Sequence, residues 1–313
     1  MENIVVAFPF VPPYDSLEQL CLPASLRQFG GGLSDVVVWA LTPESEVTNL
    51  SPQTQQEISR LDVRIVPYHL TDPDKQFPFA SYVAAASAAE ELAEGRTDLL
   101  AWLAPNTLVW AEPQQLVLPW DISVGYRPVH HKNIGSPLKE PLDPFWTANY
   151  NLCQVPDEEV FPMTTHIDGE TVRPYINAGS LVVRPKKRFL RRWSDLFGQV
   201  RQKPQLTPFF SQNQLYEVFV HQTVLSCLLL THFRRDQMQE LPPTYNYPLH
   251  LHQSGEARNK LKNLDEVVTA RHEGLGGRHQ LENLPLTTEQ KTWLGQYLDY
   301  LPSVREDGQS LNQ

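Results

Sequence analysis

The sequence predicts an α/β protein, a mostly parallel sheet with helices on both faces. Three observations lead there. Apolar, β-branched runs alternate with helical segments through the first 130 residues. Those runs are continuous rather than alternating, as in strands buried on both faces. Gly and Ser-Pro punctuation falls at the helix ends. Strand–helix–strand order of this kind closes into a parallel sheet, because each crossover returns the chain to the same edge.

Taken in order, residues 4–10 (IVVAFPF) form a first strand, and residues 16–29 (SLEQLCLPASLRQF) a helix that Pro23 kinks and Gly30, Gly31 and Gly32 end. Residues 35–41 (DVVVWAL) are a second strand. Ser51-Pro52 opens a helix to residue 61, which leads into a third strand at 62–70 (DVRIVPYHL). Residues 79–94 are Ala-rich and helical, with Gly95 as the stop. Residues 99–110 (LLAWLAPNTLVW) read as strand, turn and short strand, and residues 122–129 (ISVGYRPV) as a further strand. The loops after Phe10, Leu41, Leu70 and Leu103 then share the carboxyl rim of the sheet, where such proteins bind ligands.

Residues 130–172 break the pattern. They are dense in Pro, polar and aromatic residues with no sustained period, and read as an extended loop region that covers or shapes a site. Phe145, Trp146, Tyr150 and Phe161 within it need somewhere to pack. Beyond it come a strand at 175–184, a helix to about residue 202, and a second helix at 211–230. An irregular stretch at 241–251, a short strand at 267–272, an amphipathic helix at 288–301 and a polar tail complete the chain.

Composition removes several function classes. With 41% apolar residues the 313-residue chain is of ordinary globular type. A net charge of −10 argues against non-specific nucleic-acid binding and against an anionic membrane surface. The one basic cluster, RPKKRFLRR at 184–192, reads as the solvated start of a helix. Three cysteines without CxxC spacing support neither a disulfide framework nor a zinc site. The 27 prolines imply many fixed turns. No signal peptide and no membrane span is read, so a cytoplasmic location is expected. GxSxG, HExxH and Walker-type patterns are absent from the sequence, and the triple glycine follows a helix instead of a strand. The acids of 157–159, Asp168 and Glu170 read as solvated loop residues in preference to a glycosidase pair.

Five segments, in order, carry a resemblance. They are LLAWLAPNTLVWAEP at 99–113, YINAGSLVVRP at 175–185, HQTVLSCLL at 221–229, LPPTYNYP at 241–248 and, more loosely, ARHEG at 270–274. Together they resemble nucleotide-sugar glycosyltransferases with the GT-A fold, in particular the glycogenin-like and galactinol-synthase-like group. The resemblance implies a GT-A-like domain over 1–285, with a nucleotide-binding half (1–129), the inserted loop region (130–172) and an acceptor-side half (173–285). A C-terminal helix and polar tail (286–313) follow.

It also implies a nucleotide over the first-strand loop near Phe8, Pro9 and Phe10, and a sugar near Asn106 and Asn177. An acceptor would enter from the aromatic-rich region, where Trp146 or Tyr150 would stack on a sugar face. The residues have readings of their own. Asn177, Ala178 and Gly179 place one short polar and two minimal side chains at a strand start, which suits either close approach to a ligand or a strand-entry turn. His221 and Gln222 contact sugar or phosphate if their helix points at the cleft, and are surface polar residues otherwise. His272, at a strand end, is implied as a metal or diphosphate contact; a lone histidine is as readily a packed one. His130, His131 and Lys132 follow a strand, where neighbours face opposite ways, so at most one of the two histidines is expected to face the cleft. The family's lysine after the last element has no match, though Arg271 and Arg278 lie near it.

The turn at 104–106 departs from the family. A divalent cation held by carboxylates stabilises the charge that grows on a departing diphosphate. Here Ala104 offers no ligand, Asn106 at best one neutral oxygen, and His221 stands where the family often has Asp. The expectation is therefore no tightly bound Mn²⁺ or Mg²⁺ and no other cofactor. The partners expected are a nucleotide-sugar donor and an acceptor the sequence does not specify. The function expected is glycosyl transfer without the usual metal-binding acid pair; the alternative is a non-catalytic sugar- or nucleotide-binding relative. No catalytic residue is assigned.

Overall fold

A computed structural model describes residues 2–10, 17–252, 258–273 and 286–309. Gly274 and Arg278, residues 11–16 and the last residues of the polar tail lie outside that set.

Among the described residues twelve strands follow one another: β1 (Ile4–Pro9), β2 (Val37–Pro43), β3 (Val63–Tyr68), β4 (Leu99–Leu103), β5 (Thr107–Val109), β6 (Val124–Pro128), β7 (Met163–Thr164), β8 (Thr171–Val172), β9 (Ile176–Val183), β10 (Met238–Glu240), β11 (Tyr247–Pro248) and β12 (Thr269–Arg271). The helices among those residues are α1 (Cys21–Phe29), α2 (Pro52–Arg60), α3 (Asp72–Gln76), α4 (Ala80–Ala93), α5 (Pro144–Cys153), α6 (Phe189–Val200), α7 (Thr207–Gln212), α8 (Gln214–His232) and α9 (Thr288–Gln309). Seven strands form the main sheet in the order β10-β6-β9-β4-β1-β2-β3. All its pairings are parallel except the two made by β9, which runs against both β4 and β6. A small sheet, β11-β12-β5, and a two-stranded hairpin, β7-β8, complete it.

The sheet divides the apolar residues by strand alternation. Val5, Ala7, Trp39, Leu41, Leu100 and Trp102 face one core, covered by α4, α5, α6 and α8. Ile4, Val6, Phe8, Val38, Ala40, Leu99, Ala101 and Leu103 face the other, covered by α1, α2 and β5. The C-terminal helix α9 belongs to this second core. Leu294, Tyr297 and Leu298 are buried there, and Trp293 meets Phe29 and Trp110 edge to face at 5.3 and 5.8 Å.

Several segments differ from the sequence reading. Pro23 does not kink a helix, because α1 starts only at Cys21 and proline is tolerated in a first turn. The segment 130–172 is not all loop. It contains α5, capped by Asp143, whose Oδ1 accepts the Trp146 N–H at 3.0 Å, with Pro144 opening the helix, and it contains the β7-β8 hairpin. The helix at 211–230 is two helices. Asn213 is extended between them, and its side chain caps α8 by accepting the Leu215 N–H at 3.0 Å. The basic cluster is solvated only in part. Arg184 is buried, paired with Glu2 at 3.0 Å and donating to the Ile122 and Pro119 carbonyls at 2.7 Å. No helix among the described residues is long and apolar enough to cross a membrane.

Candidate functional site

The reversed direction of β9 builds the site. Parallel strands β1, β4 and β6 end at the carboxyl rim, whereas antiparallel β9 begins there. Pro9, Ala104 to Asn106, Val129 to His131, and Asn177 to Gly179 thus meet around one cavity of about 690 Å³, a size that suits a small-molecule ligand. The first turn of α4 (Ser81 and Tyr82), Phe79 just before it, the middle of α8 (Phe219, His221, Gln222), His250, and Arg271 with Glu273 from the end of β12 complete its walls.

At the start of β9 the pairing with β6 slips. Tyr126 faces Leu181, but Pro128 faces Ile176, so a bulge parts the β9 backbone from β6 between Ile176 and Leu181, while Ser180 stays paired with β4. The helix α8 takes up the released groups. Ser226 Oγ accepts the Ile176 N–H at 3.0 Å and Gln222 Oε1 accepts the Ala178 N–H at 3.1 Å, while Tyr82 donates its hydroxyl to the Ala178 carbonyl at 2.9 Å. Gln222 is therefore a brace of the cavity wall as well as part of it. Asn177 Oδ1 accepts from the Gly179 N–H at 2.8 Å and from Arg271 Nη1 at 3.4 Å. A side chain on Gly179 would place its Cβ 2.6 Å from Arg271 Nη1 and 3.0 Å from the Ala104 Cβ. Backbone and guanidinium touch there because nothing intervenes.

Asn106 closes the opposite corner. Its Nδ2 donates to the His272 carbonyl at 2.5 Å and its carbonyl accepts the His272 N–H at 3.2 Å, tying the turn after β4 to the end of β12. The Oδ1 of its amide and the second Nδ2–H have no partner among the described residues. Pro105 stiffens the turn.

His221 lines the cavity with its ring stacked on Phe79, centroids 4.3 Å apart at 13°. Its Nδ1 lies 2.8 Å from the Val218 carbonyl, which can only accept, so Nδ1 carries the proton and Nε2 is an acceptor. Burial pushes its pKa down to about 3, so the ring is neutral at ordinary pH. Phe79 sits at φ 60°, a left-handed conformation rare for an aromatic residue, and keeps 44% of its surface exposed. His130, whose Nε2 donates to the Asn246 carbonyl at 2.9 Å, is also held well below the ordinary histidine range, by burial first and by Arg271 next. Both His130 and His131 line the cavity. The expected alternation fails because the chain bends after β6 and no longer runs as a strand.

Seven of the nine sequence-predicted residues thus meet in one place: Pro9, Asn106, Asn177, Ala178, Gly179, His221 and Gln222. Two do not. Phe8 is fully buried in the second core, edge to face with Phe10 at 6.2 Å, because it alternates with cavity-side Pro9. His272 is buried behind the wall, and burial lowers its pKa to about 4. Its neighbours Arg271 and Glu273 line the cavity in its stead. Strand alternation at ARHEG was the signal that would have singled out Arg271. For Phe79 and Tyr82, ahead of and within an alanine-rich helix, the sequence carries no comparable mark.

Trp146 and Tyr150 are also displaced from their expected role. Both are buried in the first core, Trp146 donating its indole N–H to the Ile134 carbonyl at 2.6 Å, so neither presents a face to a sugar. The donor set at the turn does not fit an oxygen-ligated divalent cation. Ala104 has no donor, the Asn106 amide nitrogen is spent on His272, and a guanidinium occupies the adjoining wall. Among the described residues no group of three His, Cys, Asp or Glu side chains is arranged to hold a metal.

No curated protein matches the chain in sequence. Among solved structures, the galactosyltransferase LgtC in complex with donor and acceptor sugar analogues superposes with a TM-score of 0.50 at 14% identity, over 95% of this chain and 94% of that one. An active-site mutant of LgtC gives a TM-score of 0.51 at 14% identity, over 93% and 99%. At such identities the likeness is one of fold, and the fold is GT-A. Residues 14–227, from ahead of α1 into α8, match the Rhodobacterales glycosyltransferase domain. That stretch carries most of the cavity wall described above, and the chain belongs to the Rhodobacterales glycosyltransferase domain family.

Proposed function

We propose that this cavity transfers a glycosyl group from a nucleotide-sugar donor to an acceptor hydroxyl, and that it does so without a carboxylate-held metal. The observation that carries the reading is the convergence of Asn106, Asn177, Ala178, Gly179, His221 and Gln222 on one rim cavity in a chain of a glycosyltransferase family. The turn from Ala104 to Asn106 is then a degenerate form of the acid turn of glycogenin-like enzymes.

In the reaction the bond between sugar C1 and the diphosphate oxygen breaks, and its electron pair leaves on that oxygen. The acceptor oxygen bonds to C1 and releases its proton to water. The nucleotide lies beside Pro9 and Gln19, and the sugar between Asn106 and Asn177. The Asn177 amide NH₂, which has no partner among the described residues, donates to a sugar hydroxyl. Neutral His221 accepts a hydroxyl proton at Nε2. Phe79, exposed at the mouth with one face held by His221, takes the platform role expected of Trp146 or Tyr150. A relative that binds the same ligand without turnover is the second reading, favoured by the missing carboxylate pair alone.

The test is release of nucleoside diphosphate from UDP-, GDP- and TDP-hexoses in EDTA and in Mn²⁺, with calorimetry on the free nucleotides. Turnover of one donor in EDTA, lowered at least tenfold by Asn177→Ala, is expected. Turnover strictly dependent on Mn²⁺ overturns the metal-free reading. Binding without turnover moves the weight to the second reading, and neither binding nor turnover overturns both.

A further inference from the structure

Arg271 is half-buried, and although the Glu273 carboxylate attracts it, no acid side chain lies within ion-pair distance of it among the described residues. Its Nε is enclosed and meets no hydrogen-bond partner, and its one side-chain hydrogen bond among the described residues is the long one from Nη1 to Asn177 Oδ1, 3.4 Å. Glu273, the acid nearest it in sequence, is 61% exposed and reaches toward His250 at 3.8 Å. A guanidinium in such a place costs stability unless something pairs with it. Among the described residues lining the cavity it is the only lysine or arginine.

The wall is shaped to hold it. Gly179 leaves the space the guanidinium fills, since a Cβ there would lie 2.6 Å from Nη1. The Gly179 N–H fixes Asn177 Oδ1, which in turn orients Nη1. Ala104, whose own Cβ would be 3.0 Å from that same added Cβ, keeps the neighbouring position free of charge. The Asn-Ala-Gly segment and the carboxylate-free turn thus have a common explanation. Each is what an arginine needs in order to stay available to a ligand.

We propose that Arg271 is the receptor for the anionic leaving group, a diphosphate, and that its guanidinium stands where a carboxylate-held cation would otherwise neutralise that charge. This rests on the transferase reading above and names the residue that reading lacks. Nη2, with no protein partner among the described residues, and the second N–H of Nη1 form the fork that donates to two phosphate oxygens side by side. The guanidinium is charged in every state of the reaction, so it opposes the growing charge on the oxygen leaving C1 without moving a proton.

The experiment titrates inorganic pyrophosphate into the full chain in EDTA, for the wild type and for R271M, R271K and A104D, with a thermal melt of each. The wild type binds saturably. R271M loses about 10- to 100-fold in affinity, the worth of hydrogen bonds to a charged group, yet melts no lower, because an unpaired charge has gone. R271K is weakened because an ammonium lacks the fork. A104D is weakened because its carboxylate pairs with Arg271 within the wall. Wild-type affinity in R271M, or wild-type binding only when Mn²⁺ is added, overturns the proposal. If R271M does not fold, unchanged affinity in both R271K and A104D does so. The two readings fail separately. Pyrophosphate binding that depends on Arg271, in a protein with no donor turnover, leaves the anion site standing and removes the transferase. Donor turnover untouched in R271M does the reverse.

Discussion

At Gly179 the missing side chain is required by two neighbours of different kinds. The guanidinium end of Arg271 can swing aside, but Ala104, hydrogen-bonded through its own N–H to the Gly179 carbonyl at 2.8 Å, cannot. Gly179→Ala should therefore destabilise by about 1–3 kcal/mol, the range for overpacking, and weaken pyrophosphate binding as well. Urea denaturation and titration on the same preparation check both. Asn106 gives an ordering. Asn106→Ala loses one hydrogen bond to the His272 carbonyl and costs about 1 kcal/mol. Asn106→Asp, which restores an acid to the turn, sets a carboxylate against that carbonyl and costs more. Equal stability of the two variants would mean that the clamp is not what holds β12.

Among the elements, α8 and β9 are coupled through backbone groups the bulge releases. Gln222→Ala strands the Ala178 N–H, and a buried donor left unmade costs about 1–3 kcal/mol; donor affinity should fall with it, because the same wall carries Asn177. The contact of α4 with α6 has a pH signature. Glu90 is fully buried, accepts the Arg191 N–H at 2.9 Å at the start of α6, and desolvation raises its pKa to about 7. An acid with a raised folded pKa holds its proton longer in the native state than in the unfolded one. Its contribution is complete below the unfolded value near 4.5 and declines as pH rises toward 7. Glu90→Gln should remove that decline, leaving the variant about 1–3 kcal/mol more stable than wild type at pH 8 and nearly level with it at pH 4.5. Denaturation midpoints across that range decide it.

For the molecule as a whole, acidification works through histidines buried as neutral rings. Burial lowers His166 and His221 to about 3 and His272 to about 4. In the unfolded chain they titrate near 6.5, so the unfolded state binds more protons over the window between. Their stability is complete above 6.5 and lost as pH falls toward 3. Three such groups outweigh Glu90, whose effect runs the other way, and the melting temperature should fall steadily from pH 6.5 to 4. His221→Asn, which keeps a donor for the Val218 carbonyl but cannot take up the proton, should make that fall shallower. A flat profile would place these rings in contact with water.

How much of this was legible depends on the range of the interaction that decides it. Strand runs such as 4–10 and 99–103, the Ser51 cap and the Gly95 stop were readable because they depend on residues a few positions apart. The Asn-Ala-Gly segment and the pair His221-Gln222 were readable as candidates for the same reason, since short motifs stay intact in a linear chain. What the sequence determined by itself was an α/β chain with a sheet rim and a turn stripped of carboxylates. The tertiary structure alone decided which face each rim residue presents. Reversal of β9, the bulge beside it, and the antiparallel docking of β12 on β5 brought Asn177 and Gly179 to Arg271, 94 positions from the first in sequence. The same packing buried Trp146, Tyr150 and His272 instead of exposing them, because an aromatic or imidazole ring goes wherever the cores leave room, and that room is set by elements distant in sequence.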